Sequence, residues 1–393
     1  MRLPATRRTE PSRALFWEGK SVMIIVEFQK RLNALSVKLR SVIIGSGSYI
    51  PERRASNASF LQAEFYDGSG TRLAKSNQET IRKLEEITGI AERRYAADGQ
   101  NASDLAALAA EDALASSGVD RESLDYLIVA HDFGDVRADN PRSDFVPSLA
   151  ARIKHRLGIV NPRTVAYDLA FGCPGWLQGI IQADYYLKSG NIRRAMVIGT
   201  ETLSRVSDPH DRDSMIYADG AGATILEAVE SEPPIGILAH AVRSDTIDHA
   251  YMLWMQKSYG PSGGDRLYLK MDGHKLYEYA LKTVPLVLLE CLEKAGLALR
   301  DIRKVLIHQA NEKMDEAILK RAFKLAGIAE PPAGIMPMTI GWLGNSSVAT
   351  LPTLYDLMAK GKLDGHPLPH GADILFASVG AGMNINAMAY RLP

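Results

Sequence analysis

"TVAYDLAFGCPGWLQGIIQADYYLKSGN", Thr164 to Asn191, joins a β-branched apolar run to a stretch with helical spacing, and one of the chain's two cysteines stands at the junction. The segment up to Ala170 has the composition of a strand. Pro174 suits a first helical turn, and Trp176, Leu177, Ile180, Ile181 and Leu187 then recur on one helical face before Gly190 stops the helix. Cys173 therefore precedes a helix N-terminus, where the positive end of the macrodipole favours a thiolate. On this stretch alone a packing role competes with a nucleophilic one, because buried cysteines are commonly inert.

Working outward, the same strand-to-helix unit recurs. The first half reads strand "SVIIGSG", helix 103–117, strand "DYLIVAH", helix 144–157, strand "TVAYDLA", helix 174–189, then strands "RAMVIGT" and "GATILEAV". The second half reads strand "IGILAHAV", helix 274–295, strand "KVLIHQA", helix 313–326, the short run "IMPMT", helix 346–360, then strands "DILFASV" and "NINAMAY". The two series share a β-α-β-α-β-α-β-β order, which predicts an α/β fold built by internal duplication. The expected divisions are an N-terminal extension at 1–40 without catalytic role, one half at 41–230, and a second at 231–393, joined at "SEPPIG". Inserts at 51–102 and 244–273 interrupt the scheme, and long irregular segments of this kind are usually functional covers.

Composition narrows the function classes. The 393 residues are 46% hydrophobic, enough for a large core, and 46 Lys and Arg balance 46 Asp and Glu. A neutral chain has no global field to hold nucleic acid or an anionic membrane, and no apolar run approaches the ~20 residues that span a bilayer. Two cysteines, Cys173 and Cys291, make neither a disulfide framework nor a four-thiolate metal site, so a reducing, cytoplasmic setting is expected. Cys291 falls on an amphipathic helical face and reads as core. "HPLPH", around His366 and His370, lies in a proline-rich loop without cysteines or paired carboxylates, and no metal is assigned. The first 40 residues carry nine Lys or Arg against three Glu and resemble a transit peptide only weakly; Met23 or a start near Ser36 is an alternative beginning.

Two further constellations stand at sheet-to-helix transitions equivalent to that of Cys173, and a glycine-rich closing loop follows them. In "VLIHQANEKM", His308 ends a hydrophobic strand and Asn311 opens a helix; catalytic groups gather at the carboxyl ends of such strands, although a satisfied core histidine fits the same spacing. In "GWLGNSSVAT", Asn345 follows a tight glycine turn, where a simple N-cap is the competing reading. In "ASVGAGMNINA", Gly380 and Gly382 make either a hairpin turn or a loop that brings a backbone N–H to a reacting carbonyl.

From about Val42 onward the sequence resembles the thiolase superfamily, in its β-ketoacyl-acyl carrier protein synthase III branch, on the strength of "FGCPGW", "DPHDRDSMIYADGAGATIL", "IHQAN", "GNSSVATLP" and "GAGM". The resemblance implies a five-layered αβαβα fold, a homodimer paired through its central sheets, and a Cys173, His308 and Asn345 catalytic set. It implies no cofactor beyond the phosphopantetheine arm of an acyl carrier protein or coenzyme A as substrate carrier. The chemistry implied is a ping-pong decarboxylative Claisen condensation of an acyl thioester with a malonyl or β-ketoacyl carrier thioester. Cys173 takes the acyl group, and the oxyanion is held by the Cys173 N–H and the Gly380–Gly382 loop, at Ala381. His308 and Asn345 then donate to the enolate left by decarboxylation.

The sequence also departs from that family. Lys83 and Ile87, ahead of "TGI", replace the tryptophan and arginine that grip an adenine nucleotide, while Arg212 and Lys313 keep a basic rim; Asn311 joins them as a substrate-binding candidate. These features favour a carrier-bound acyl group, with ordinary surface charge as the alternative for Arg212 and Lys313. The loop 131–148 is longer than usual and ends with Phe145 and Val146 before "PS", where the family places a phenylalanine that caps the partner's pocket. A smaller Val146 predicts a medium-length or branched acyl chain, and the set looks like ketosynthases of dialkylresorcinol and aryl-polyene secondary metabolism that form a ring. The competing enzyme reading is a non-decarboxylating head-to-head or hydroxymethylglutaryl-type synthase, which needs a carboxylate near Cys173; Asp135, Asp139 and Asp144 are the candidates. An inactive chain-length partner subunit is disfavoured because the cysteine is kept.

Overall fold

The computed structural model describes residues 38–261 and 263–393; the expectations placed on the first 37 residues lie outside it. Chain order in the first half is β1 (Leu39–Tyr49), β2 (Arg53–Ser56), α1 (Asn77–Thr88), β3 (Glu92–Tyr95), α2 (Ala102–Ser117), β4 (Tyr126–His131), β5 (Asp135–Val136), β6 (Ser143–Asp144), α3 (Leu149–Arg156), β7 (Val165–Ala170), α4 (Gly175–Lys188), β8 (Arg194–Thr202) and β9 (Asp219–Glu230). The second half follows as β10 (Gly236–Ser244), β11 (Leu253–Lys257), β12 (Leu267–Met271), α5 (Gly273–Ala295), β13 (Lys304–Ile307), α6 (Glu312–Leu325), α7 (Ile340–Leu343), α8 (Thr350–Ala359), β14 (Asp373–Gly380) and β15 (Asn384–Arg391).

Two sheets result, in the orders β1-β9-β8-β4-β7 and β10-β15-β14-β13. In both, the last two strands of the half pair antiparallel and the interior crossovers are parallel. The second sheet is one strand short of the first. "IMPMT" forms no strand: Val305 N–H bonds to Ile335 O at 2.9 Å, but Pro337 has no N–H to continue a ladder. The buried Gln309 side chain takes over, donating to Pro337 O at 2.9 Å and accepting from Thr339 N at 2.8 Å.

Three apolar clusters define five layers. Leu105, Ala106 and Ala109 of α2 and Ile153 of α3 pack on Leu127, Val129 and Ile198 of the first sheet. Ile180 of α4 and Leu354 of α8 lie between that sheet's other face and Leu306 and Phe376 of the second. Val284 and Leu288 of α5 and Ile318 of α6 cover the outer face of the second sheet. The middle layer is apolar on both sides, which is why α4 is buried over its first three turns, Trp176 among them at 1% exposure, and exposes side chains only near its C-terminal end, at Tyr185, Tyr186 and Lys188. Truncating Trp176 to alanine would cost about 3–5 kcal/mol.

Both inserts are structured. Residues 51–102 hold the β2–β3 pair and α1, with Ile81 and Phe65 buried. Residues 244–273 hold the β11–β12 hairpin, fixed to the first half by the fully buried Lys270, whose ammonium meets Asp208 Oδ2 at 2.5 Å and Asp211 Oδ2 at 3.2 Å beneath the Tyr259 ring. Among the described residues no helix is long and apolar enough to cross a membrane.

Candidate active site

The carboxyl ends of both sheets and the N-terminal end of α4 open onto one cavity of about 400 Å³, lined by Cys173, His308, Asn345, Gly380 and Ala381. Leu253, Trp254, Met255, Leu269 and Met271 of the β11–β12 hairpin complete its wall, so the second insert forms part of this chamber. Its surface is mostly apolar, with Asp132, Ser347 and Asn384 as further polar members.

Cys173 lies two residues before α4, in a turn closed by Gly175 N–H to Gly172 O at 2.8 Å. Gly172 has φ +69°, a conformation that favours glycine, and it faces Ala381 N. Gly380 is needed for closeness instead: a Cβ there would stand 2.8 Å from both the nitrogen and the Cβ of Cys173. The hairpin-turn reading of this loop holds, since residues 381–383 connect β14 to β15, and Gly380 at its start abuts Cys173. Asn384 Nδ2 donates to Ala381 O at 2.9 Å and holds the turn.

His308 directly follows β13, anchored by its N–H to Ala377 O at 2.8 Å, and is 3% exposed. Burial lowers its pKa to about 4, so the ring is neutral at physiological pH. Asn345 is fixed by backbone bonds on either side of Tyr217, Asn345 N–H to Ile216 O and Ala218 N–H to Asn345 O. Its Oδ1 accepts from Ser347 N at 2.8 Å, which engages the acceptor and leaves the Nδ2 amide as donor. Asn345 is thus not an N-cap, the residues before the 3₁₀ turn and the helix being Ser346 and Ala349; its oxygen closes a local turn onto Ser347 N. The helix expected from 346 begins at Thr350, after a 3₁₀ turn over Ser347–Ala349 in which Ser347 has φ +51°.

The Cys173 thiol does not follow the helix-terminus expectation. Burial first, and then the negative charge of Asp132, push its pKa from 9.0 up to about 12. A helix end supplies about 0.3–1 kcal/mol at accessible sites, too little to offset this. Ser347 Oγ lies 3.2 Å from Cys173 Sγ and 3.0 Å from Asp132 Oδ2. The Asp132 N–H in turn donates to Glu201 Oε1. Burial raises both acids, Glu201 well above its ordinary range with Asp132's charge adding to the effect.

The carboxylate beside Cys173 is thus Asp132, which the sequence reading did not select. Asp135 is held by Arg152 at 2.7 Å and by Ser103, Asp144 also pairs with Arg152, and Asp139 lies exposed with Arg137. The remaining substrate-binding candidates line no part of the cavity. Asn311 caps α6, its Oδ1 accepting from Met314 N at 3.1 Å. Lys313 and Arg212 are exposed, Arg212 with Asp213 at 3.7 Å. Val146 is 85% exposed and Phe145 packs on the His131 ring with centroids 5.8 Å apart. Among the described residues no group of three or more His, Cys, Asp or Glu is arranged to hold a metal.

Residues 167–246 match the model for 3-oxoacyl-[acyl-carrier-protein] synthase III, and residues 292–392 match its C-terminal counterpart. The β-ketoacyl-[acyl-carrier-protein] synthase III of Rhodospirillum centenum is 34% identical over 358 residues, covering 90% of this chain and 99% of the relative. The chain belongs to the β-ketoacyl-acyl carrier protein synthase III family. The synthase III of Novosphingobium aromaticivorans is 33% identical over 91% of this chain and all of the relative. Among solved structures, the synthase III of Thermus thermophilus superposes with a TM-score of 0.73 at 29% identity, covering 90% of this chain and 99% of that one. The priming β-ketosynthase of the R1128 polyketide pathway gives 0.73 at 27% identity, covering 91% and 98%. The chain is therefore a thiolase-fold condensing acyltransferase of the synthase III type.

Proposed function

We propose that the chain catalyses a decarboxylative Claisen condensation between an acyl thioester and a malonyl or β-ketoacyl unit on an acyl carrier protein. The observation that carries this reading is the meeting of Cys173, His308 and Asn345 in one largely apolar cavity against the Gly380 turn. In the first half-reaction Cys173 Sγ attacks the acyl carbonyl, the Cys173 and Ala381 N–H groups receive the oxyanion, and the carrier thiol leaves. In the second, His308 Nε2 and Asn345 Nδ2 donate to the thioester carbonyl of the extender, carbon dioxide departs, and the enolate attacks the acyl group on Cys173. A neutral imidazole suits this task because an imidazolium would protonate the carbanion before it reacts. The half at 41–230 supplies the nucleophile and the half at 231–393 the donor pair, and the phosphopantetheine arm arrives with the substrate.

A carrier-bound acyl group fits the missing adenine grip at Lys83 and Ile87, and Arg212 and Lys313, both exposed, are available to a carrier's phosphate. Pairing of two chains along β7 is supported by its position as an outer strand with Val165 45% exposed and Tyr185 of α4 58% exposed nearby in the chain. In such a dimer the exposed Phe145 and Val146 would face the partner rather than their own cavity. Two free cysteines fit a reducing, cytoplasmic setting.

One observation favours a second reading. Asp132 provides the carboxylate beside Cys173 that a non-decarboxylating condensation requires. The test is to incubate the protein with an acyl-carrier protein and a malonyl-carrier protein and to quantify carbon dioxide and condensed product together. One carbon dioxide per product supports the proposal, product without carbon dioxide supports the second reading, and release without product contradicts both.

A further inference from the structure

The first half-reaction has to move a proton off Cys173, and the residues so far assigned do not receive it. His308 is a weak base, its pKa lowered by burial to about 4, and among the described residues no hydrogen bond joins its ring to Cys173 Sγ. Ser347 Oγ, in contrast, touches both Cys173 Sγ and Asp132 Oδ2, at 3.2 and 3.0 Å. A serine hydroxyl has one proton and two lone pairs. It cannot donate to both neighbours at once, so with its proton on the carboxylate it is placed to accept from the thiol. Ser347 has a left-handed φ of +51°, unusual for a residue other than glycine, and its hydroxyl lies between the two.

We propose that Asp132, acting through Ser347, is the proton acceptor for the Cys173 thiol in acyl transfer. This rests on Cys173 being the nucleophile of the proposed function. As Sγ forms its bond to the acyl carbon, the thiol proton passes to Ser347 Oγ, and the serine proton passes to Asp132 Oδ2. Collapse of the tetrahedral adduct breaks the carbon–sulfur bond to the carrier. The departing thiolate takes a proton back along the same path, which leaves Asp132 ionised and the carrier thiol neutral.

The surroundings suit that role. The groups that face Asp132 are Cys173 and Ser347, His131 of β4, Glu201 of β8 and the backbone at Gly172. Burial makes the carboxylate a stronger base than an exposed one. Glu201, whose pKa burial raises well above the usual carboxylate range, accepts the Asp132 N–H and so holds the Asp132 backbone in place.

The test measures alkylation of Cys173 by iodoacetamide in the full chain between pH 5.5 and 10, mapped by peptide mass, for the wild type, Asp132→Asn and Ser347→Ala. No acyl thioester is involved, so the result is separable from the proposed function. The expected wild-type rate rises as Asp132 ionises and then levels off. Both variants are expected to react about 10²-fold more slowly at pH 7 and to gain roughly tenfold per pH unit, as an unassisted thiol does. A mere like-charge neighbour predicts the reverse, because removing the Asp132 charge eases ionisation of the thiol. Asp132→Asn reacting as fast as the wild type, or faster, overturns the proposal. Should Asp132→Asn fail to fold, an undiminished rate in Ser347→Ala overturns it equally. If the expected alkylation pattern holds but no acyl thioester labels the wild type, the proposed function falls and the proton path stands.

Discussion

The chain holds two cysteines whose thiols are both pushed up in pKa and whose surroundings are opposite. Burial pushes each thiol up to about 12. Cys291, on α5, is fully buried in the outer core, where its thiol points at Ala239 O, 3.6 Å away, and its polar company is strand backbone. Cys173 sits on a cavity wall beside Ser347, opposite a glycine that lets another backbone turn press against it, with His308 and Asn345 on the same chamber. Thiol acidity therefore does not separate the nucleophile from the packing residue. The neighbours do, through what can receive a proton, an oxyanion and an enolate.

That contrast can be broken in several ways, the largest first. Cys173→Ala should abolish condensation, leaving at most background product, whereas Cys291→Ala should retain wild-type turnover with the same carrier substrates. His308→Ala and Asn345→Ala should each lower condensation about 10²–10³-fold, the usual consequence of removing one preorganised donor, while Cys173 still accumulates acyl adduct in single-turnover mass measurements. Loss of the adduct in those variants would place the donors in the first half-reaction instead.

The next effect is one of pH. His308 is held neutral down to about pH 4, against 6.5 for an unperturbed ring. Between those values the unfolded chain binds a proton that the folded chain does not. The stabilisation is therefore fully present above pH 6.5 and is lost as pH falls toward 4, amounting to roughly 3 kcal/mol. Urea unfolding at pH 7 and pH 4.5 should show this slope in the wild type and a shallower one in His308→Gln. The smallest expected effect belongs to Cys291→Ala, a loss of about 1 kcal/mol in the same unfolding measurement from a slightly emptied core.

Much of this was legible in the sequence because it was periodic or locally punctuated. Most of the strand and helix series and the positions of Cys173 and His308 at strand-to-helix transitions follow from apolar spacing and glycine or proline stops, whereas Asn345 follows the short helix α7 and the helix expected from Asp144 begins at Leu149, after β6. "IMPMT" misled because its apolar run looks like a strand, while Pro337 and the Gln309 side chain replace the ladder. Asp132 was illegible for a different reason. It shares the stretch "HDFGD" with Asp135, and only the fold decides that Asp135 turns to Arg152 and Ser103 while Asp132 meets a serine 215 residues away. The acidity of Cys173 was misjudged because a helix terminus can be read from sequence but the depth of burial cannot.

The difference between the two cysteines is tested most directly by exposing the wild-type chain and Cys173→Ala to an acyl-carrier protein and locating the acyl group by intact mass and peptide mapping. The account predicts a single adduct, on Cys173, absent from the variant. An adduct on Cys291, or one that survives Cys173→Ala, would contradict it.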